Sequence, residues 1–184
     1  VNIADQADEE NPISFYFFTS NIKNGVNKGI DLSMNLKLSK NSNLFLNAGT
    51  LHTQRDSFSY SSSENNTITI SKREQARAPQ YTINTGIEFY LTKKIFVRFE
   101  GIAKDRYYYF DNTNQISKPY QIINLNTRYE VNGNISVSFN IKNLLNKKYS
   151  IHGFYFSLDG YTPAQLYESP GDPKTYGLRL DYRF

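Results

Sequence analysis

The sequence predicts an all-β protein, an antiparallel up-and-down β-barrel that crosses a membrane. Three observations predict this fold class. Apolar and polar residues alternate along about eight segments, tight turns alternate with long polar connections, and the polar side of the segments carries many charges. Strands that separate lipid from a wet interior show this alternation, with tight turns at one end and long loops at the other.

The eight segments follow a period of two residues, which is the period of a β-strand. They cover residues 13–20, 29–39, 43–53, 81–91, 95–101, 122–131, 134–143 and 175–184. A half-buried strand of a soluble β-sandwich would alternate in the same way. The alternation alone therefore leaves a soluble sandwich open.

The connections favour the barrel over the sandwich. Short turns at 40–43, 92–94 and 131–134 alternate with long polar segments at about 57–78, 109–119 and 147–174. The turn at 131–134 contains Asn-Gly, a strong hairpin signal. Counted back from the carboxyl end, all three short turns fall at the same end of the barrel as that terminus. Greek-key crossovers of a sandwich give no reason for such a regular order.

The charged face is the third observation. Lys, Arg, Asp, Glu and Asn occupy the polar side of the strands in numbers too large for one small packed interior. A wet or plugged barrel can hydrate or pair these charges. Asp181 and Glu130 are accordingly interpreted as partners of Arg128, Arg179 and Arg183 on the inner wall, and not as a general acid and base.

The composition argues against several function classes. The 184 residues include no Cys, which excludes disulfides and thiolate metal sites, and only two His, His52 and His152, which lie far apart. The net charge of +4 shows no clustered run of the kind that binds nucleic acid. No segment has the roughly 18 apolar residues of a spanning helix, and the acidic start does not have a signal-peptide pattern. We find no catalytic constellation and predict neither an enzyme nor a cofactor.

Three segments resemble hairpins of TonB-dependent receptors. Residues 25–53 contain Asn-Lys-Gly-Ile-Asp before a short turn, and residues 77–100 form the next hairpin, with Pro79 opening a strand after a long loop. Residues 135–150 and 170–184 are similar to the closing pair of the family. They contain Asn-Leu-Leu-Asn-x-x-Tyr and a Gly-x-Pro-Lys-Thr strand that ends in Phe. The three segments occur in the order of the family and cover most of the chain.

The resemblance implies that residues 1–184 are the carboxyl-terminal portion of such a receptor barrel, without its plug domain and earlier strands. Barrels of these transporters have about 22 strands, and this chain has about eight. Two alternatives stay open. Eight strands can close alone as a small outer-membrane barrel with a structural or adhesin role, and a soluble β-sandwich binding module is the less favoured alternative.

For function, the resemblance implies uptake of a scarce solute across the outer membrane of a Gram-negative bacterium, energised by TonB. The expected ligand is a ferric siderophore, with cobalamin or an oligosaccharide as other options. The implied partners are outer-membrane lipid, lipopolysaccharide, the barrel-assembly machinery and, through the missing amino-terminal part, the TonB complex.

The long loops carry the residues that we expect to contact the ligand. Aromatic side chains are clustered there, and they offer stacking area with polar tips to a planar, partly apolar ligand. They are Tyr107, Tyr108, Tyr109, Phe154, Tyr155, Phe156 and Tyr161. Alternatively, the three tyrosines at 107–109 belong to an aromatic girdle and the later loop only caps the barrel. Arg55, Arg73 and Arg77 are expected to meet an anionic complex, lipopolysaccharide or solvent.

The last strand completes the sequence-based predictions. Its outward residues are Tyr176, Leu178, Leu180, Tyr182 and Phe184. This alternation with a terminal aromatic residue resembles the signal that the barrel-assembly machinery reads. As an isolated piece the chain would have two open strand edges, whose unpaired backbone groups are costly in lipid. We therefore expect that the isolated chain does not fold stably in a bilayer.

Overall fold

A computed structural model describes residues 2–6, 15–19, 21, 24–61, 67–157 and 163–184. These residues form thirteen strands: β1 (Asn2–Gln6), β2 (Phe15–Thr19), β3 (Gly25–Ser39), β4 (Ser42–Arg55), β5 (Phe58–Ser61), β6 (Thr67–Ile70), β7 (Tyr81–Thr92), β8 (Ile95–Lys104), β9 (Tyr120–Glu130), β10 (Ile135–Lys142), β11 (Ser150–Phe156), β12 (Gln165–Pro170) and β13 (Thr175–Tyr182). No helix long and apolar enough to cross a membrane is present in this part of the chain.

Seven strands form one antiparallel sheet in the order β13-β10-β9-β8-β7-β4-β3. The hairpins β5–β6 and β11–β12 lie outside this sheet. The seven strands of the sheet pair in the order in which they follow along the chain, so the topology is up-and-down, as the sequence predicts. The predicted strand at 13–20 coincides with β2, but β2 pairs with β1 in a separate hairpin. The main sheet therefore contains seven of the eight predicted strands.

The register joins like residues into continuous rows across the sheet. One row pairs Leu44 with Ile87, Ile87 with Phe99, and Phe99 with Leu125. The adjacent row is polar and pairs Asn43 with Glu88, Glu88 with Arg98, Arg98 with Asn126, and Asn126 with Asn140. Because a shift of one residue would mix these rows, the register is fixed by the two-residue pattern of every strand. The sheet thus has one apolar face and one polar face.

Nothing in the described chain covers the apolar face. Exposure reaches 75% at Ile30 on β3 and 77% at Leu178 on β13, and only four apolar or aromatic side chains among the described residues are buried. A soluble sandwich needs a second sheet packed on this face. The described strands form none, so the sandwich alternative is wrong. Apolar surface on this scale is stable against lipid, not water.

The sheet is open. β3 pairs only with β4 and β13 only with β10, and no described strand pairs with the outer edge of either. The alternative of a small barrel that closes on itself is therefore not what the described strands form. Two long edges of unpaired backbone groups remain at β3 and β13.

The two ends of the sheet differ as the connection lengths predict. The turns at 40–41, 93–94 and 131–134 join β3 to β4, β7 to β8 and β9 to β10. The opposite end bears the long connections, and two of these contain antiparallel hairpins of their own, β5 with β6 and β11 with β12. The prediction of both segments as polar loops without strands is therefore incomplete.

Charges on the polar face are paired within the sheet. Arg98 lies 3.5 Å from Glu88 and 3.3 Å from Glu100, and its guanidinium lies 4.3 Å from the centre of the Phe45 ring. The Phe45 ring lies over Gly86, where any Cβ would collide with it. Nearer the tight turns, Arg128 pairs with Glu130 at 3.4 Å, and Arg179 pairs with Asp181 at 2.6 Å. The predicted pairing of Glu130 with Arg128 and of Asp181 with Arg179 is confirmed, whereas Arg183 forms no ion pair among the described residues.

Candidate ligand-binding loops

The loop end of the sheet is built into one connected structure, which we call the loop layer. It comprises residues 51–61, 67–80, 105–119, 150–157 and 163–170. Its parts come from three different connections, so contacts between distant residues determine its shape. Three groups of contacts hold it together, centred on Arg55, Arg73 and Tyr109.

Arg55, at the end of β4, ties the connection at 105–119 to the sheet. Its side chain is only 2% exposed. Its Nε donates to Asp111 Oδ1 at 3.1 Å, and its Nη2 donates to the Asp111 carbonyl at 2.5 Å. The same carboxylate oxygen accepts a bond from the Ala76 amide. Burial lowers the pKa of Arg55, and the charge of Asp111 opposes that shift.

Arg73 binds the same connection from the other side. One amino group donates to the carbonyls of Phe110, Asp111 and Thr113 at 3.2, 2.6 and 2.6 Å, and the other donates to Asn114 Oδ1 at 2.6 Å. A planar guanidinium with several fixed donors suits this role, which a lysine cannot reproduce. Burial lowers the pKa of Arg73, and the nearby charge of Arg55 lowers it further. Both arginines are thus structural parts of the loop layer.

Tyr107 and Tyr109 hold the β11–β12 hairpin against the 105–119 connection. They are 4% and 0% exposed, respectively. The Tyr107 hydroxyl donates to the Ile151 carbonyl at 2.8 Å, and the Tyr109 hydroxyl donates to Glu168 Oε1 at 2.5 Å. The Tyr109 ring lies flat against Gly153, where an added Cβ would approach to 2.5 Å. Burial, strengthened by the bond to Glu168, raises the pKa of Tyr109.

These positions bear on the sequence-based predictions for the three tyrosines. Since Tyr107 and Tyr109 are buried between loops, they do not lie on a lipid-facing girdle, and that alternative is wrong for both. Tyr108 is half-buried, and the guanidinium of Arg73 lies 4.3 Å from its ring centre. Their contact with a ligand stays a prediction.

The β11–β12 hairpin presents the exposed aromatic residues of the loop layer. Phe154, Tyr155 and Phe156 are 45%, 42% and 38% exposed. His152, whose ring centre lies 4.4 Å from Phe154 and 5.7 Å from Phe110, joins the hairpin to the neighbouring connection. His152 is thus a packed aromatic residue of a loop. Tyr161, the remaining predicted residue, lies outside the described residues.

Sequence reasoning missed the role of Asn143, the first residue of Asn-Leu-Leu-Asn-x-x-Tyr. Asn143 is 1% exposed and has a left-handed backbone with φ of 48°. Its side-chain amide donates to the carbonyls of Lys147 and Asp172 at 2.8 and 2.9 Å, while its Oδ1 accepts from the Lys147 amide at 2.8 Å. Asn143 therefore joins the end of β10 to the start of β13. The motif was visible in the sequence, but its local chemistry was not.

The last strand lies at the sheet edge with its outward side chains uncovered. Exposure is 65% for Tyr176, 77% for Leu178, 69% for Leu180, 58% for Tyr182 and 110% for Phe184. The four residues within β13 lie on the apolar face, as predicted, and Phe184 follows the strand, with its ring in contact with Tyr182. A role in assembly stays a prediction. Elsewhere, no group of three or more His, Cys, Asp or Glu that could hold a metal ion occurs among the described residues.

Together, the apolar outer face, the paired polar inner face and the loop layer define part of the wall of a transmembrane β-barrel. The family model "TonB dependent receptor-like, beta-barrel" matches residues 2–144. The chain therefore belongs to the TonB-dependent receptor β-barrel family. Members of this family are receptors of the outer membrane of Gram-negative bacteria and are transporters, not enzymes.

Solved structures of such receptors have the same fold. The siderophore receptor PiuA from Acinetobacter baumannii matches 98% of this chain and 24% of its own, at 16% identity and a TM-score of 0.72. The ferric yersiniabactin uptake receptor FyuA from Yersinia pestis matches 87% of this chain and 24% of its own, at 11% identity and a TM-score of 0.68. The ferric citrate transporter FecA matches all of this chain and 27% of its own, at 12% identity and a TM-score of 0.63.

The chain thus spans about a quarter of the length of the solved structures that it matches. At these identities the likeness concerns the fold alone. No curated protein sequence matches the chain.

Proposed function

We propose that residues 1–184 supply the carboxyl-terminal strands and outer loops of a receptor that takes up a scarce solute across the outer membrane with energy from TonB. A ferric siderophore is the ligand class that fits best. The observation that carries this proposal is the braced loop layer, which displays aromatic side chains at the loop end of a TonB-dependent receptor sheet.

The exposed residues Phe154, Tyr155 and Phe156 are suited to a planar, partly apolar ligand. Large aromatic side chains contribute contact area at a small cost in conformational entropy, and stacked rings add about 0.5–1.5 kcal/mol per pair. Because Tyr107 and Tyr109 hold the hairpin against its neighbour, its aromatic residues are ordered before a ligand arrives. Such preorganisation reduces the free-energy cost of binding.

The contacts of the three arginines in the loop layer determine which of them can bind an anionic ligand. Arg55 and Arg73 already bind Asp111 and the carbonyls of the 105–119 connection. Arg77 is exposed, and its guanidinium lies 5.6 Å from the ring centre of Phe110. Of the three arginines considered from the sequence, Arg77 is therefore the one that we assign to contact with an anionic ferric complex.

The remaining partners follow from the same proposal. The apolar face meets outer-membrane lipid, and the loop layer borders the lipopolysaccharide leaflet. The polar face lines a lumen that a plug domain fills in the full-length protein, and that amino-terminal part engages the TonB complex. The barrel-assembly machinery inserts the protein and contacts the last strand.

The test uses the full-length gene in its host under iron limitation. A deletion strain is supplied with single ferric siderophores, and growth and uptake of labelled iron are measured. Deletion is expected to abolish uptake of one siderophore class, and the wild-type gene is expected to restore it. Replacing both Phe154 and Tyr155 by Ser should then weaken that uptake about tenfold at low ligand concentration, since two stacking contacts are lost.

A matched control replaces Tyr90 by Ser. Tyr90 is a 52% exposed tyrosine at the tight-turn end of the sheet, far from the loop layer. Uptake should be unchanged in this variant at equal surface level. If the deletion strain takes up every ferric siderophore normally but loses cobalamin or oligosaccharide uptake, the siderophore assignment is wrong. If it loses no solute, the transport proposal itself fails.

A further inference from the structure

Two adjacent tight turns of the sheet share the same local structure. At the first, the β3–β4 register shifts at Leu38, and at the second, the β7–β8 register shifts at Leu91. Each shift is a β-bulge, which inserts one extra residue into its strand. Both bulges place an exposed leucine at the end of the sheet, 49% exposed for Leu38 and 67% for Leu91.

The residues that follow are also alike. Leu38 precedes Ser39 and Lys40, and Leu91 precedes Thr92 and Lys93. The Ser39 hydroxyl accepts from the Asn41 amide at 3.1 Å, and the Thr92 hydroxyl accepts from the Lys94 amide at 3.2 Å. Such hydroxyl bonds fix a turn locally. The two turns are therefore built alike, and each has a lysine two residues after an exposed leucine.

The turns lie side by side and are joined directly. The Tyr90 amide donates to the Asn41 carbonyl at 2.9 Å, which links the second turn to the first. Lys40, Lys93 and Lys94 are exposed. No described residue forms an ion pair with any of the three, and the Lys94 ammonium donates one hydrogen bond, to the Val131 carbonyl at 3.1 Å.

Two ion pairs neutralise some of the other charges at this end of the sheet. Glu130 pairs with Arg128, and Asp181 pairs with Arg179. Lys37 on β3 and Arg183 after β13 are further exposed cations near this end without an ion pair among the described residues. The three lysines of the two joined turns form the largest group of such cations. This group lies close to leucines that continue the apolar face. A cation beside apolar surface is the arrangement by which proteins contact the headgroup level of a membrane.

We propose that the two turns, residues 38–41 and 91–94, together bind the headgroup of an anionic phospholipid in the periplasmic leaflet of the outer membrane. Short turns of outer-membrane barrels face the periplasm. The leucines lie against the acyl chains, and Lys40 and Lys93 bind the phosphate. This site depends on the family and on the orientation of the turns. It does not depend on which solute the receptor carries.

The experiment measures lipid retention by the folded full-length protein. The purified protein is mixed with phosphatidylglycerol or phosphatidylethanolamine, and native mass spectrometry counts the lipids retained by the folded form. The wild type is expected to retain phosphatidylglycerol preferentially, and increasing salt should weaken this preference. Replacing Lys40 and Lys93 by Gln should lower phosphatidylglycerol retention about tenfold and leave phosphatidylethanolamine unaffected.

The matched control replaces Lys118 and Lys148 by Gln, which removes the same charge from exposed positions at the loop end. Retention in this variant should equal that of the wild type. Equal losses in both double variants would overturn the proposal, because net charge alone would then explain binding. An unchanged phosphatidylglycerol preference in folded K40Q/K93Q would overturn it as well. Co-sedimentation with peptidoglycan is measured in parallel. If K40Q/K93Q loses only this binding, the partner is a periplasmic polymer and the proposal is overturned.

Discussion

Asn143 shows how one buried side chain holds a barrel connection. Replacing it by Ala removes the donors to the Lys147 and Asp172 carbonyls and the acceptor of the Lys147 amide. Each buried group left unpaired costs about 1–3 kcal/mol, and Ala also tolerates the left-handed backbone less well than Asn. We expect Asn143→Ala to lower the free energy of unfolding of the full-length protein by about 3 kcal/mol, measured by urea titration in vesicles.

The control for this prediction is Asn146→Ala. Asn146 also has a left-handed backbone, with φ of 51°, but it is exposed and its side chain accepts one bond, from the Lys174 amide. It should therefore lose less than half as much stability as Asn143→Ala. Equal losses would mean that backbone strain, and not the buried hydrogen bonds, accounts for the effect.

Tyr109 makes the loop layer sensitive to alkaline pH. Its pKa in the folded protein is raised by burial and by the bond to Glu168. A raised pKa means that the folded state holds the proton more tightly than the unfolded state. The stabilisation is therefore complete below the ordinary tyrosine pKa of about 10 and is lost as the pH rises above it. We expect protease cleavage within 150–170 to accelerate above about pH 10.

Tyr109→Phe separates this effect from general alkaline unfolding. The variant lacks the bond to Glu168, so the hairpin should be cleaved faster than in the wild type at pH 8. Its cleavage rate should then rise less steeply above pH 10, because the titrating group is gone. Tyr155→Phe, on the exposed part of the same hairpin, should follow the wild type throughout. An equally steep rise in Tyr109→Phe would refute the assignment.

At the scale of elements, the strands of the main sheet were predictable and the loop hairpins were not. A strand such as β7 has twelve residues, enough for the two-residue period to be recognised. β5 and β6 have four residues each, too few for a reliable pattern. The backbone bonds between Arg55 and Arg73 close this hairpin, and they join residues that are far apart in sequence. The same nonlocal packing buries Tyr107 and Tyr109, so the sequence alone could not separate them from exposed aromatics such as Tyr155.

A substitution of Arg73 tests whether the parts of the loop layer are ordered by their contacts with one another. Replacing Arg73 by Gln removes the donors to the carbonyls of Phe110, Asp111 and Thr113. We expect amide hydrogen exchange in 105–119 to accelerate at least tenfold, because the loss of bonds to a charged donor is worth about 1.5–3 kcal/mol. Exchange in β8 and β9 should stay unchanged.

Arg77→Gln is the matched control, since Arg77 is exposed and its side chain contacts the same connection at the Phe110 ring. The bond from its backbone amide to the Tyr108 carbonyl is kept in this variant. Its exchange rates in 105–119 should stay within about twofold of the wild type, a change of only a few tenths of a kcal/mol. Acceleration confined to residues 71–75 in Arg73→Gln would show that the loops are ordered independently. In that case the ligand-facing aromatics would not be preorganised by this contact.

At the scale of the whole molecule, the described sheet has a continuous apolar face and a continuous polar face, but it does not close into a barrel. Its apolar and polar rows run without interruption from β3 to β13, and the edges of both strands are unpaired in the described chain. In a bilayer each unpaired backbone group costs several kcal/mol. Because both edges are unpaired, we expect this wall to be stable in a bilayer only when its edges are paired with further strands.

Phe184 is the residue that we expect to act in the assembly of the whole barrel. Its side chain is fully exposed and contacts the Tyr182 ring with centres 5.2 Å apart, so it contributes little packing to the fold described. Its effect is therefore expected on insertion, not on stability. Deleting Phe184 from the full-length receptor should lower its surface level severalfold, measured by surface labelling at equal synthesis. Phe184→Tyr should retain assembly, and Phe184→Ser should resemble the deletion. Surface levels that stay normal in the deletion and in Phe184→Ser would exclude the terminal aromatic as an assembly signal.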